Sequence, residues 1–102
     1  MMKNRLGKLL IIAILFTMTC IMMRGIFALK VSAEEEFERA ARLYDASQFE
    51  QARNIYTSLI RDGYHDPVVY YNLGNTYARL GETGPSVLNY YKALRLDPNN
   101  QD

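Results

Sequence analysis

The sequence predicts an all-α protein: two tandem helix–turn–helix units preceded by an apolar N-terminal helix. Three observations carry that prediction. Residues 33–66 slide onto 67–100 without a gap, an internal repeat with a period of 34 residues. At this offset Leu43 falls on Tyr77, Ser47 on Gly81, Ala52 on Ser86 and Tyr56 on Tyr90. Within each half, apolar and small residues recur three or four positions apart, the spacing of one helix face. Gly and Pro stand between these stretches, where helices stop and restart. A period of this length marks helical units that stack on their neighbours to bury a shared core.

The first element, residues 1–33, reads as a leader rather than as part of the repeats. Lys3, Arg5 and Lys8 precede the apolar run Leu9–Met23, the order of parts in an export signal. As a helix that run spans about 22 Å, short of the roughly 30 Å hydrocarbon core of a bilayer. Ile26–Leu29 extends it if Arg24 reaches up to the headgroups, which gives membrane contact through residues 9–29. Two outcomes therefore stand side by side. Val31-Ser32-Ala33 offers the small residues of a cleavage site after Ala33, and an uncut helix would be a signal anchor. In both, the basic flank stays in the cytoplasm and the repeats are exported, to a periplasmic or other extracytoplasmic space. Cys20, the sole cysteine, lies inside the apolar run, and Thr17-Met18-Thr19 before it is a poor lipid-attachment context. It reads as a small apolar residue, and the exported part can form no disulfide.

Charge divides at the same place. All five cations of residues 1–33 belong to the leader, whereas residues 34–102 carry seven Lys/Arg against eleven Asp/Glu, a balance of −4. An acidic domain repels nucleic acid, so a nucleic-acid partner is not expected.

Along the repeats, a first helix is expected over Glu34–Ala46, with Glu34, Glu35 and Glu36 at its positive dipole end. Ser47-Gln48 turns the chain, and a second helix runs from Phe49 to about Asp62, closed by Gly63. Pro67 opens the third helix, which runs to Leu80 before Gly81. Thr83-Gly84-Pro85 restarts the chain, and the fourth helix ends before Pro98. These bounds give a first repeat over 34–66 and a second over 67–100, with 101–102 as the start of a missing or truncated third unit.

The spacing also says how the helices pair. Ala40, Leu43, Ala52, Tyr56 and Leu59 form the packing face of the first unit. Tyr70, Leu73, Gly74 and Tyr77 face Ser86, Tyr90, Ala93 and Leu94 in the second. Gly74, Ser86 and Ala93 leave gaps for the rings, and a larger residue at Gly74 should cost roughly 1–3 kcal/mol through overpacking. The twelve aromatic residues at this spacing read as core rather than as a ligand-stacking box.

The segments Tyr71-Asn72-Leu73-Gly74-Asn75-Thr76-Tyr77-Ala78-Arg79-Leu80-Gly81 and Tyr90-Tyr91-Lys92-Ala93-Leu94-Arg95-Leu96-Asp97-Pro98-Asn99-Asn100 resemble a tetratricopeptide repeat. The likeness is close over 67–100. It is looser over 33–66, where Ala40 stands for Gly74, Ser47 for the turn glycine and Tyr64 for the closing Pro98. The order of leader and repeats also resembles the front of the BatE-type exported proteins of bacterial aerotolerance clusters. The family resemblance implies a short right-handed solenoid that holds another protein. Its concave face would present Phe37, Glu38, Ala41, Tyr44 and Asp45 from the first unit. Val68, Tyr71, Asn72, Asn75 and Arg79 would follow from the second. On that face Asn72 and Asn75 can bond a peptide backbone, Arg79 can pair a carboxylate, and Phe37, Tyr44 and Tyr71 can take apolar side chains. Only Arg79 is basic there, so a clamp for a peptide C-terminus is not expected.

No cofactor, metal or catalytic residue is expected. His65 is the sole histidine, lies in a loop between Asp62 and Asp66, and has no nucleophile or second ligand placed with it. Gly81 and Gly84 punctuate helices and build no phosphate loop. The expected function is a non-catalytic adaptor or scaffold in the cell envelope, binding a protein or peptide. The competing readings are a self-associating structural protein and an enzyme accessory domain. Self-association would run through Val87, Leu88 and Tyr91, which lie open on the last helix.

Overall fold

The computed structural model describes residues 2–99, apart from the side chains of Met2 and Lys3. The expected onset of a third unit at 101–102, and Asn100 at the close of the second, lie outside them. Four helices, α1 (Met2–Asp45), α2 (Phe49–Arg61), α3 (Pro67–Arg79) and α4 (Thr83–Leu96), make up the fold, with no strand among the described residues. The chain divides into two compact units, Met1–Ser32 and Ala33–Asp102.

The first unit is helical over its described residues. Its large apolar side chains from Leu9 to Leu29 are 57–74% exposed, so none of them is packed against other protein. Thr17 and Thr19 turn their hydroxyls inward, donating to the carbonyls of Ile14 and Phe16 at 2.8 Å each. The two polar groups are thereby satisfied without water. By length and composition α1 is long and apolar enough to cross a membrane. Cys20 is a free, exposed thiol.

One sequence expectation is corrected here. No helix begins at Glu34, because α1 runs unbroken through Lys30–Glu36. Nothing between Ile26 and Glu36 is a helix breaker, and no Ser, Thr, Asp or Asn there acts as an N-cap. The three glutamates therefore do not sit at a positive helix end. Glu36 instead makes an exposed i,i+3 pair with Arg39 at 3.5 Å, a contact of little energetic weight.

In the second unit, the end of α1 pairs with α2, and α3 pairs with α4. The ends of α1, α2 and α3 are closed by the same two bonds. Gln48 N–H donates to Leu43 C=O and Ser47 N–H to Tyr44 C=O; Tyr64 to Leu59 and Gly63 to Ile60; Glu82 to Tyr77 and Gly81 to Ala78. This pattern needs a left-handed residue just past the helix, and Ser47 (φ 61°), Gly63 (φ 95°) and Gly81 (φ 77°) supply it. At the start of α3, Asp66 accepts the Val68 N–H at 2.8 Å and Pro67 takes the first helical position.

The core is one cluster of Ala40, Ala52, Tyr56, Leu59, Val69 and Leu73, rimmed by Phe37, Leu43, Tyr64 and Tyr77. Because Val69 and Leu73 of α3 share it with Leu59 of α2, the two hairpins are stacked rather than strung. Between α3 and α4 the backbones come close. A Cβ on Gly74 would lie 2.7 Å from Tyr90 Cδ1, and the buried Ser86 hydroxyl donates to the Gly74 carbonyl at 2.8 Å. Arg53 on α2 reaches Glu82 at 3.7 Å, a second tie between the hairpins.

Not every expected packing residue is covered. Tyr70 and Leu73 are buried, whereas Ala93 is only partly so, Leu94 is 42% exposed and Pro98 lies exposed in the turn after α4. Pro98 ends the helix without packing on it. Conversely Val69, Thr76 and Asn89 are buried, although the spacing within one hairpin gave no sign of it. Thr76 and Asn89 are satisfied inside their own helices, bonding the carbonyls of Asn72 (2.7 Å) and Pro85 (2.8 Å).

Candidate interaction groove

The helices at the front of each hairpin, the end of α1 and α3, bring their polar residues together. An open cavity of about 220 Å³ is lined by Ala41, Tyr44 and Asp45 of α1, Asn72 and Asn75 of α3, and Tyr56 of α2. Of the residues singled out in the sequence for this face, Ala41, Tyr44, Asp45, Asn72 and Asn75 line the cavity. Tyr56, expected only as packing, does both jobs: its ring is core and its hydroxyl end meets the cavity.

The rest of the expected face sits differently. Phe37 meets Tyr56 edge-on with ring centres 5.8 Å apart, and Tyr71 tilts against Tyr90 at 5.6 Å. Tyr71 remains about half exposed, so it can still offer a ring to a partner. The Arg79 guanidinium lies 4.7 Å above the Phe49 ring, which in turn contacts Tyr44 edge-on at 5.2 Å. Arg79 is thus drawn onto an aromatic face and is not among the residues lining the cavity.

Two amides behave unequally. The Asn75 side-chain oxygen accepts a hydrogen bond from the Tyr90 hydroxyl, which leaves its NH₂ for another acceptor. Burial of the Tyr56 hydroxyl disfavours the phenolate and outweighs the opposite influence of the neighbouring Asn72 side chain. Asp45 and Glu38 push the same way as burial, so the Tyr56 pKa lies above the ordinary tyrosine value. Asp45 is the one charged residue among those lining the cavity.

On the opposite side, His65 is hydrogen-bonded through Nδ1 to the Tyr70 hydroxyl at 2.8 Å and stacks on its ring. Lys92 lies 5.8 Å over the same ring, and Asp66 is engaged in capping α3. Among the described residues no three His, Cys, Asp or Glu side chains come together as a metal site would require.

No curated protein matches the chain. Residues 67–100 match the family model described as tetratricopeptide repeat, the segment in which Gly74, Ser86 and Tyr90 bring α3 and α4 into close contact. The second hairpin of this chain is accordingly similar to a tetratricopeptide repeat.

Proposed function

We propose that this chain is a non-catalytic protein-interaction module held at the cell envelope. The observation that carries the proposal is the groove itself, in which two stacked hairpins present amides, tyrosine rings and a carboxylate along one face. Those groups suit an extended peptide backbone and its side chains better than a reaction. Residues 9–29 support a membrane setting for the module: their uncovered apolar side chains and self-satisfied threonines suit hydrocarbon. With Lys3, Arg5 and Lys8 on the cytoplasmic side, the hairpins lie on the far side as an exported adaptor. The likeness to the BatE-type leader-and-repeat order suggests an envelope complex of the aerotolerance kind as its setting.

Photo-crosslinking from Tyr71 in the native envelope, followed by identification of the captured chain, tests this. A defined neighbour whose capture falls with Asn72→Ala is expected. Capture of only a second copy would overturn the adaptor reading. It would favour self-association, for which Val87, Leu88 and Tyr91 on α4 (61%, 51% and 58% exposed) are the motivating observation.

A further inference from the structure

The geometry points to a groove that selects a basic side chain. A lysine or arginine of an extended partner segment enters the cavity between α1 and α3, opposite the Asp45 carboxylate, while the Asn72 and Asn75 amides hold the segment's backbone. This deepens, and rests on, the interaction reading above.

Four observations support it. First, the cavity has a carboxylate and no cation among its lining residues. Glu38 lies about two helical turns before Asp45 on α1, and neither is within 4.0 Å of a basic group among the described residues. Second, the one arginine expected on this face, Arg79, is the repeat counterpart of Asp45 and is occupied by Phe49. Third, Asp45 is the last residue of α1, where the helix carbonyls already make the surroundings negative. A carboxylate there works against the stability of its own helix and in favour of an incoming cation. Fourth, Tyr44 and Tyr56 line the same space. The partly buried Tyr44 ring suits both the methylenes and the charge of a long basic side chain.

Size narrows the occupant. At about 220 Å³ the space falls below the roughly 300–1,000 Å³ of ordinary small-molecule sites. It suits one or two side chains of a larger partner. An acidic segment or a free C-terminal carboxylate would face Asp45 and Glu38 and be repelled.

The test uses the full chain in detergent micelles and a library of randomised nonapeptides. Lys or Arg should be enriched about fivefold or more over Asp and Glu at one position, the modest selectivity of a partly exposed ion pair. Asp45→Asn should abolish the preference while leaving the melting temperature unchanged or higher. Glu36→Gln, whose carboxylate pairs with Arg39 away from the cavity, should retain it. Equal enrichment of acidic residues, or a preference that survives Asp45→Asn, would overturn the inference. The two levels separate through the crosslinked partner. If it binds the Asp45→Asn variant as tightly as the unaltered chain, the basic-side-chain inference falls and the adaptor reading stands. If no partner but a second copy is ever captured, the adaptor reading falls first.

Discussion

The two hairpins carry the same aromatic pair at equivalent positions, Phe37 with Tyr56 and Tyr71 with Tyr90, at nearly the same ring separation. Around that shared pair they differ in three ways. Where the second hairpin has Gly74 under its tyrosine, the first has Ala40, fully buried. Where the second turns on Gly81, the first turns on Ser47, forced into the same left-handed backbone. Where the second starts at an Asp66 cap and Pro67, the first has no start of its own, because α1 runs in unbroken from the residues before Glu34. The lesson is that the ring pair tolerates either small residue only with a matched helix spacing. The local rules for caps and turns are met fully in one hairpin and partly in the other.

The largest effect should come from Gly74. Gly74→Leu must displace the Tyr90 ring, whose Cδ1 would lie 2.7 Å from the new Cβ. The expected loss is about 3 kcal/mol, seen as a lowered helical melting temperature of the full chain in detergent. Ala40→Gly should cost only about 1 kcal/mol by contrast. Equal losses at Gly74 and Ala40 would break the claim that helix spacing separates the hairpins.

The turns come next. Ser47→Gly should raise stability by about 1 kcal/mol, since a side chain in the left-handed region is strained and glycine is not. Gly81→Ala should lower it by a similar amount. Denaturant midpoints that move in the same direction for both would refute the equivalence of these turns. Asp66→Ala should cost about 1 kcal/mol through loss of the α3 cap. The mirror experiment at Glu34 should change almost nothing, because no helix begins there.

The smallest effect is at alkaline pH. The raised pKa of Tyr56 means the folded chain holds its phenolic proton more tightly than the unfolded chain does. That share of stability is complete below the unfolded value, about 10, and is lost as pH rises through the higher folded value. Phenolate absorbance should reveal one late-titrating tyrosine, and Asp45→Asn should bring it to lower pH. An unchanged titration in that variant would show that the two groups do not share a field.

Much of this was legible beforehand. The 34-residue offset placed α2, α3 and α4 to within a residue or two, because Gly63, Pro67, Gly81 and Pro98 act locally and their effects need no tertiary information. The start at Glu34 misled because an acidic triplet looks like a helix N-terminus, while the actual signal, the lack of any breaker from Ile26 onward, is an absence. Burial of Val69 depends on contact between hairpins, which spacing inside one hairpin cannot express. The groove was legible as a set of positions: Tyr44, Asn72 and Asn75 fell where the repeat register put them. The fate of Arg79 was not, since Phe49 lies thirty residues away in sequence and no periodic pattern links a guanidinium to that ring.

The bond from the Tyr90 hydroxyl to Asn75 ties a groove amide to the interior of the repeat. An asparagine in solution must be immobilised when it grips a ligand, and that ordering subtracts from affinity. Here the immobilisation is done in advance by Tyr90, which is not among the residues lining the cavity. Tyr90→Phe would therefore leave the contact surface chemically intact yet loosen its grip, and an affinity defect would trace back to a residue behind the wall.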